Sequence, residues 1–100
     1  MPDKFTISAL AQTELEESAE WYEEQLDGLG ERFSETVYIS INTIIKAPVA
    51  FPKKNAKIRE FVLDDFPFII VYEYKEKENA IYILHIFHTS RNPKLKYKRK

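Results

Sequence analysis

Residues 81–88 read I-Y-I-L-H-I-F-H, and His85 and His88 close this apolar run just before Arg91 and a tail that sets Tyr97 among lysines and arginines. These are the residue types that could do chemistry. A histidine exchanges a proton near neutral pH. An arginine offers a planar fork for phosphate or carboxylate. A tyrosine among bases can stack on a nucleobase or donate a proton, or it can pack on the protein itself. In a regular strand His85 shares one side with Ile81, Ile83 and Phe87, and His88 shares the other with Tyr82, Leu84 and Ile86. Two histidines on opposite faces do not make a metal pair, and the chain has no cysteine. Neither a metal nor another cofactor is expected. His85 reads as a structural histidine at a sheet rim. For His88, at the strand end beside Thr89, Ser90 and Arg91, a structural and a functional role stand level.

Three further features could serve a partner or target. Arg59 shares a strand face with Phe61 and Leu63; it either binds a phosphate or carboxylate of a partner or braces Asp64, Asp65 or a helix glutamate. Trp21 lies about 100° round the first helix from Tyr22, at the edge of the buried stripe, where it packs at a rim or forms part of a binding surface. In the tail, Arg91, Lys94 and Lys96 form a basic cluster with no acid after Glu78. Its last three residues read as a solvated terminus. No nucleophile–base–acid triad and no phosphate-cradling glycine loop is present.

The net charge of -1 hides an asymmetry: residues 1–50 carry ten acids and three bases, residues 51–100 twelve bases and six acids. Either the second half meets an anionic partner or the two halves attract each other across the fold. The first ten residues show no basic region followed by an apolar one, so no signal peptide is expected. The longest apolar run, Phe66 to Tyr72, falls far short of the roughly 20 residues that span a membrane. A cytoplasmic protein with one domain over residues 1–100 is the expectation.

The elements that must position these residues follow from periodicity. Lys4 to Ser8 alternates as a short strand, and Ser8 suits a helix N-cap. Ala11, Leu15, Ala19 or Ser18, Tyr22 and Leu26 recur at helical spacing from Ala9 to Leu26, and Gly28 suits a left-handed turn after it. Phe33, Val37, Ile41, Ile44 and Ile45, widened by Tyr38, mark a second helix from about Glu31 to Lys46, ended by Ala47-Pro48. Three strand-like segments follow: Lys57 to Leu63, Phe68 to Tyr74 and Ile81 to His88. Short turns between them imply a meander. The class is α+β, in the order β-α-α-β-β-β. A helical hairpin covers one face of an antiparallel sheet, leaving the other face free with the tail beside it.

A series of short motifs now stands in order along nearly the whole chain: Trp21-Tyr22, Leu29-Gly30 with Arg32-Phe33, Pro48, then Arg59, Leu63, Phe66-Pro67-Phe68 and Tyr72, and last His88, Arg91 and Pro93. This series resembles the RelE/ParE superfamily of bacterial toxins from type II toxin–antitoxin systems, in particular its ParE-like, plasmid stabilisation branch. The resemblance implies a small toxin that inhibits growth and is neutralised by a cognate antitoxin. ParE-like members poison DNA gyrase and are not hydrolases. RelE-like members cut mRNA on the ribosome, using bases on the central strands and near the C-terminus. Where those enzymes carry lysines and arginine, this chain aligns Glu60, Val62 and Ile69, with Asp64 and Asp65 close by. A like charge at ~4 Å costs roughly 1 kcal/mol even in water, which opposes phosphate binding there. The ParE-like reading is therefore preferred. A RelE-like ribonuclease relying on His88, Arg91 and Tyr97 is the alternative, and a non-toxic relative that only binds antitoxin is a third. In either toxin the basic second half, with Arg59, His88, Lys94, Lys96 and Tyr97, would receive an acidic antitoxin segment or the target, and self-association stays open.

Overall fold

The computed structural model describes residues 4–90. Arg91, Lys94, Lys96 and Tyr97 lie outside the described residues. The chain forms β1 (Lys4–Ile7), α1 (Ala9–Gln25), α2 (Leu29–Lys46), β2 (Ile58–Val62), β3 (Phe68–Lys75) and β4 (Ala80–His88). The α+β class and the β-α-α-β-β-β order are as expected. The four strands stand in the order β1-β4-β3-β2. β2, β3 and β4 form the antiparallel meander. β1 pairs with β4 in parallel, from Lys4 opposite Ala80 to Ile7 opposite Ile83, so the sheet is mixed rather than wholly antiparallel. Turn lengths fix only the pairing of consecutive strands. The long connection from β1 through the helical hairpin is what permits a parallel pair at the edge. No helix among the described residues is long and apolar enough to cross a membrane.

Ser8 caps α1 as its sequence implies: its backbone is extended and its hydroxyl accepts from the Ala11 N–H. The stripe of α1 buries Ala11 and Leu15, and that of α2 buries Phe33, Val37, Ile41 and Ile44. Each large apolar side chain buried this way contributes about 1.5–3 kcal/mol relative to exposure. These residues pack on Phe68, Ile70, Tyr72, Ile81, Ile83 and Ile86 of the sheet. Leu26 leaves the stripe. The helix ends one residue earlier, Leu26 turns extended with φ -163°, and its side chain is exposed. Tyr38 is exposed as well and does not widen the α2 stripe.

The hairpin turn is built around two glycines. Gly28 takes φ 88°, a conformation other residues adopt at a cost. It cannot cap α2 with a side chain, and Glu23 of α1 does so instead: its carboxylate accepts from the N–H groups of Gly28 at 2.8 Å and Gly30 at 2.9 Å. At Gly30 the helices approach closely, and an added methyl would run into the Ala19 carbonyl.

The strand alternation changes hand inside β4. Val71 pairs with His85, but the next residue, Tyr72, pairs with Ile83, so Leu84 is an extra residue on β4. Such a bulge shifts the alternation by one position. Ile81 and Ile83 face the helices, and past the bulge Ile86 does too. His88 therefore joins Ile81 and Ile83 on the helix side. His85 and Phe87, expected with Ile81 and Ile83, turn to the other side. That other face is only partly the free surface that one-sided helix packing implies: Glu60, Val71, His85 and Phe87 on it are buried, while Val62 on β2 is exposed.

The Glu23 carboxyl is held below its ordinary value of 4.5, chiefly by the hydrogen bond from the Gly28 N–H and further by those from Gly30 and Glu31. A depressed carboxyl contributes stability that is present above its unfolded pKa and is lost as pH falls through the folded one. Urea unfolding at neutral pH and in acid should show that Glu23→Gln destabilises the chain at neutral pH and narrows the gap between the two conditions.

Candidate binding site at the end of β4

The bulge depends on α1. β1 ends at Ile7, so β4 beyond Ile83 has lost its neighbour on that edge. Ser8 takes over: its N–H donates to the Ile83 carbonyl at 2.9 Å and its hydroxyl to the Leu84 carbonyl at 3.0 Å. Six residues on, the Glu14 carboxylate accepts from the Ile86 N–H at 2.8 Å. The same carboxylate stands 3.6 Å from His85 Nδ1, a buried nitrogen with no hydrogen-bond partner among the described residues. His85 is thus a rim histidine seated against an acid.

Because α1 is tied to β4 here, its next turns pass over the strand end and enclose a cavity of about 140 Å³ lined by Ser18, Trp21, Tyr22, Phe68 and His88. Tyr22 is the hub. Its ring lies 5.1 Å from Trp21, 5.2 Å from Phe33 and 5.0 Å from Phe66, all within the range of favourable ring packing. Burial raises the Tyr22 pKa, so its hydroxyl stays neutral. Phe68 and His88, opposite each other in the β3–β4 register, meet edge to face at 4.9 Å. Trp21 forms the outer wall and is 56% exposed. His88 Nδ1 accepts from the Ser90 N–H at 3.1 Å and lies 2.7 Å from the Ser90 hydroxyl. A backbone N–H can only donate, so the neutral ring carries its proton on Nε2.

Of the residues singled out from sequence, Trp21 and His88 come together in this cavity. Arg59 is elsewhere. Its Nη1 donates to the carbonyls of Phe51 at 2.8 Å and Val49 at 3.3 Å, and it braces the loop after α2 rather than an acid. Its register partner Tyr72 donates to the Pro48 carbonyl at 2.7 Å. Burial pushes the Tyr72 pKa up to about 12 against the opposing pull of Arg59. Asp65 pairs with Arg32 at 3.6 Å, both exposed, and the Arg32 guanidinium lies 5.6 Å from the centre of the Phe66 ring. Among the described residues no three His, Cys, Asp or Glu side chains are placed to hold a metal. Sequence reasoning missed Ser18 and Phe68 as cavity walls and Glu14 as the edge cap. For Ser18 the signal was its position three residues before Trp21, one turn up the same face.

A family model described as the ParE toxin of the type II toxin–antitoxin system, parDE, matches residues 5–93. The chain belongs to the ParE toxin family. The ParE-family fold is shared with solved structures at low identity. The chromosomal ParDE toxin–antitoxin system from P. aeruginosa matches at a TM-score of 0.72 and 16% identity, over 87% of this chain and 96% of that one. The isolated E. coli RelE toxin matches at 0.65 and 12%, over 91% and 88%. The intact E. coli RelBE toxin–antitoxin complex matches at 0.66 and 11%, over 87% and 96%. No curated protein sequence matches the chain. As a ParE-type toxin domain the chain thus departs at Leu84 and β1 from what its sequence implies, but not in its family.

Glu14 is the residue on which the cavity's position depends. Glu14→Leu leaves the Ile86 N–H without its acceptor, a loss of about 1–3 kcal/mol for a buried group. Glu14→Gln keeps a carbonyl oxygen there. Urea denaturation should place the leucine variant well below wild type and the glutamine variant close to it.

Proposed function

We propose that this ParE-family chain is a cytoplasmic toxin that arrests growth by binding DNA gyrase, and that a cognate antitoxin protein neutralises it. The observation that carries the choice of binding over cutting is the β2–β3 part of the sheet's second face. Glu60 is buried there, next to Val71 and near Val62 and Ile69 of the adjoining register pair. Its carboxylate lies 4.0 Å from Lys54 Nζ. A ribonuclease of the RelE type needs positive charge at the scissile phosphate, and the Glu60–Lys54 pair on β2 offers no net positive charge there. The antitoxin reading is supported by the family match and by the solved ParDE and RelBE assemblies that share the fold.

The cavity rim supplies the contact surface. An exposed tryptophan beside a well-packed aromatic hub is the kind of side chain that dominates protein interfaces. Trp21 and His88 stand together there, and the tail residues Arg91, Lys94, Lys96 and Tyr97 follow within ten residues of His88 in the sequence. Arg59 does not line this cavity, and its Nη1 donates to the Phe51 and Val49 carbonyls. The ribonuclease reading keeps one supporting observation: His88 Nδ1 is engaged by Ser90, which orients Nε2 as the proton-carrying nitrogen.

Two assays separate the readings. Purified toxin should inhibit gyrase supercoiling, and Trp21→Ala should weaken that inhibition by roughly 10- to 30-fold, the effect of truncating an interface anchor by 1.4–2 kcal/mol. Mapping mRNA 5′ ends after induction should show intact transcripts. Codon-phased cuts that disappear in His88→Ala, with supercoiling untouched, would replace the gyrase reading by the ribonuclease one.

A further inference from the structure

We propose that the cavity beside His88 receives a single arginine side chain of a partner polypeptide, stacked on the Trp21 indole and balanced by the glutamates of α1. The inference rests on reading this rim as the toxin's contact surface and names what that surface recognises.

Size comes first. A cavity of about 140 Å³ holds one side chain, since roughly 150 Å³ accommodates a benzene ring. Its walls are ring faces and edges from Trp21, Tyr22, Phe68 and His88, with the Ser18 hydroxyl as a small polar group. Such a lining suits either an apolar side chain or a cation that binds aromatic faces, for which tryptophan is the best partner.

Charge decides between them. Glu17 lies four residues before Trp21 and Glu24 three after it, the two spacings that bring side chains together on a helix face. Both are exposed, as is Glu20. The ion pairs of the described residues involve Asp65, Glu60 and Glu14, and none of them reaches these three glutamates. An apolar ligand would draw nothing from carboxylates without a counter-charge, whereas a cation is attracted by each of them. Arginine fits better than lysine. Its flat guanidinium stacks on an indole while its edge donors still reach carboxylates, and it is less strongly hydrated. The chain itself contains the same arrangement nearby, where the Arg32 guanidinium lies over the Phe66 ring and 3.6 Å from Asp65. At Trp21 the ring and the acids are in place, and no ion pair of the described residues supplies the cation.

Trp21 is the only tryptophan in the chain, so its fluorescence reports on the cavity directly. The full chain is titrated with N-acetyl-argininamide and, in parallel, with N-acetyl-leucinamide. The arginine compound should give a saturable change, with the leucine compound at least ~10-fold weaker, equivalent to 1.4 kcal/mol. The double variant Glu17→Gln/Glu24→Gln keeps every ring and should weaken arginine binding several-fold without changing the far-UV circular dichroism. Equal binding of the two compounds, no saturable response, or a double variant that binds as well as wild type would each overturn the inference. Gyrase inhibition measured on the same samples separates the two proposals. Arginine binding without gyrase inhibition leaves this inference standing and removes the target. Gyrase inhibition without arginine binding does the reverse.

Discussion

One extra residue in a strand sets the direction of the residues that matter. Side chains on a strand alternate with a period of two, so an insertion at Leu84 reverses every position after it. Without it His88 would point away from the helices and could not meet Trp21. A bulge leaves backbone groups unpaired, and it persists only where something else satisfies them. Here the Ser8 hydroxyl and the Glu14 carboxylate perform that task from the first two turns of α1, at the Leu84 carbonyl and the Ile86 N–H. The N-terminal turns of α1, the bulge and the cavity are therefore one structural unit.

The remaining connections hold the two layers in register with that unit. At one end of the hairpin Glu23 satisfies the opening of α2, and the missing side chain of Gly30 lets the helices approach. At the other end Tyr72 and Arg59, opposite each other in the β2–β3 pair, hold the carbonyls of Pro48, Val49 and Phe51, so the chain leaves α2 at a fixed place. Hydrogen bonds from a buried phenol and a guanidinium to otherwise unmet carbonyls anchor more firmly than exposed ion pairs such as Arg32–Asp65, which contribute at most about 1 kcal/mol.

What the sequence made legible was everything written in local periodicity. The order of elements, Ser8 as a cap, the left-handed Gly28 and the core of α2 all follow from spacings within a few residues. The parallel place of β1 did not, because pairing across some 75 residues leaves no mark in turn lengths. The bulge did not either: I-Y-I-L-H-I-F-H reads as a regular strand, and its irregularity is imposed by Ser8 and Glu14, more than seventy positions away. Arg59 shows the same limit. Its type announced a bidentate donor, and only the folded loop shows that the acceptors are main-chain carbonyls rather than a carboxylate. Trp21 and His88 were each visible as candidates, but their meeting depends on the reversal at Leu84.

The reversal also bears on where a ParE-family chain of this composition can make contact. The face of the sheet turned from the helices buries Glu60, Val71, His85 and Phe87 and sets an acid among them. A ligand on this face would meet side chains that are already buried and a carboxylate already paired with Lys54. The β2 edge is occupied in part by the preceding loop, since Lys54 and Glu60 exchange main-chain hydrogen bonds with Ile58 and Pro52. The rim where α1 crosses the end of β4 is of another kind. An exposed indole, a shallow aromatic cavity and a row of glutamates that no ion pair of the described residues reaches lie together there. Exposed aromatic surface is costly to keep in water, and unpaired like charges on one helix face repel each other. A partner that covers the indole and brings a counter-charge relieves both at once and gains from each term.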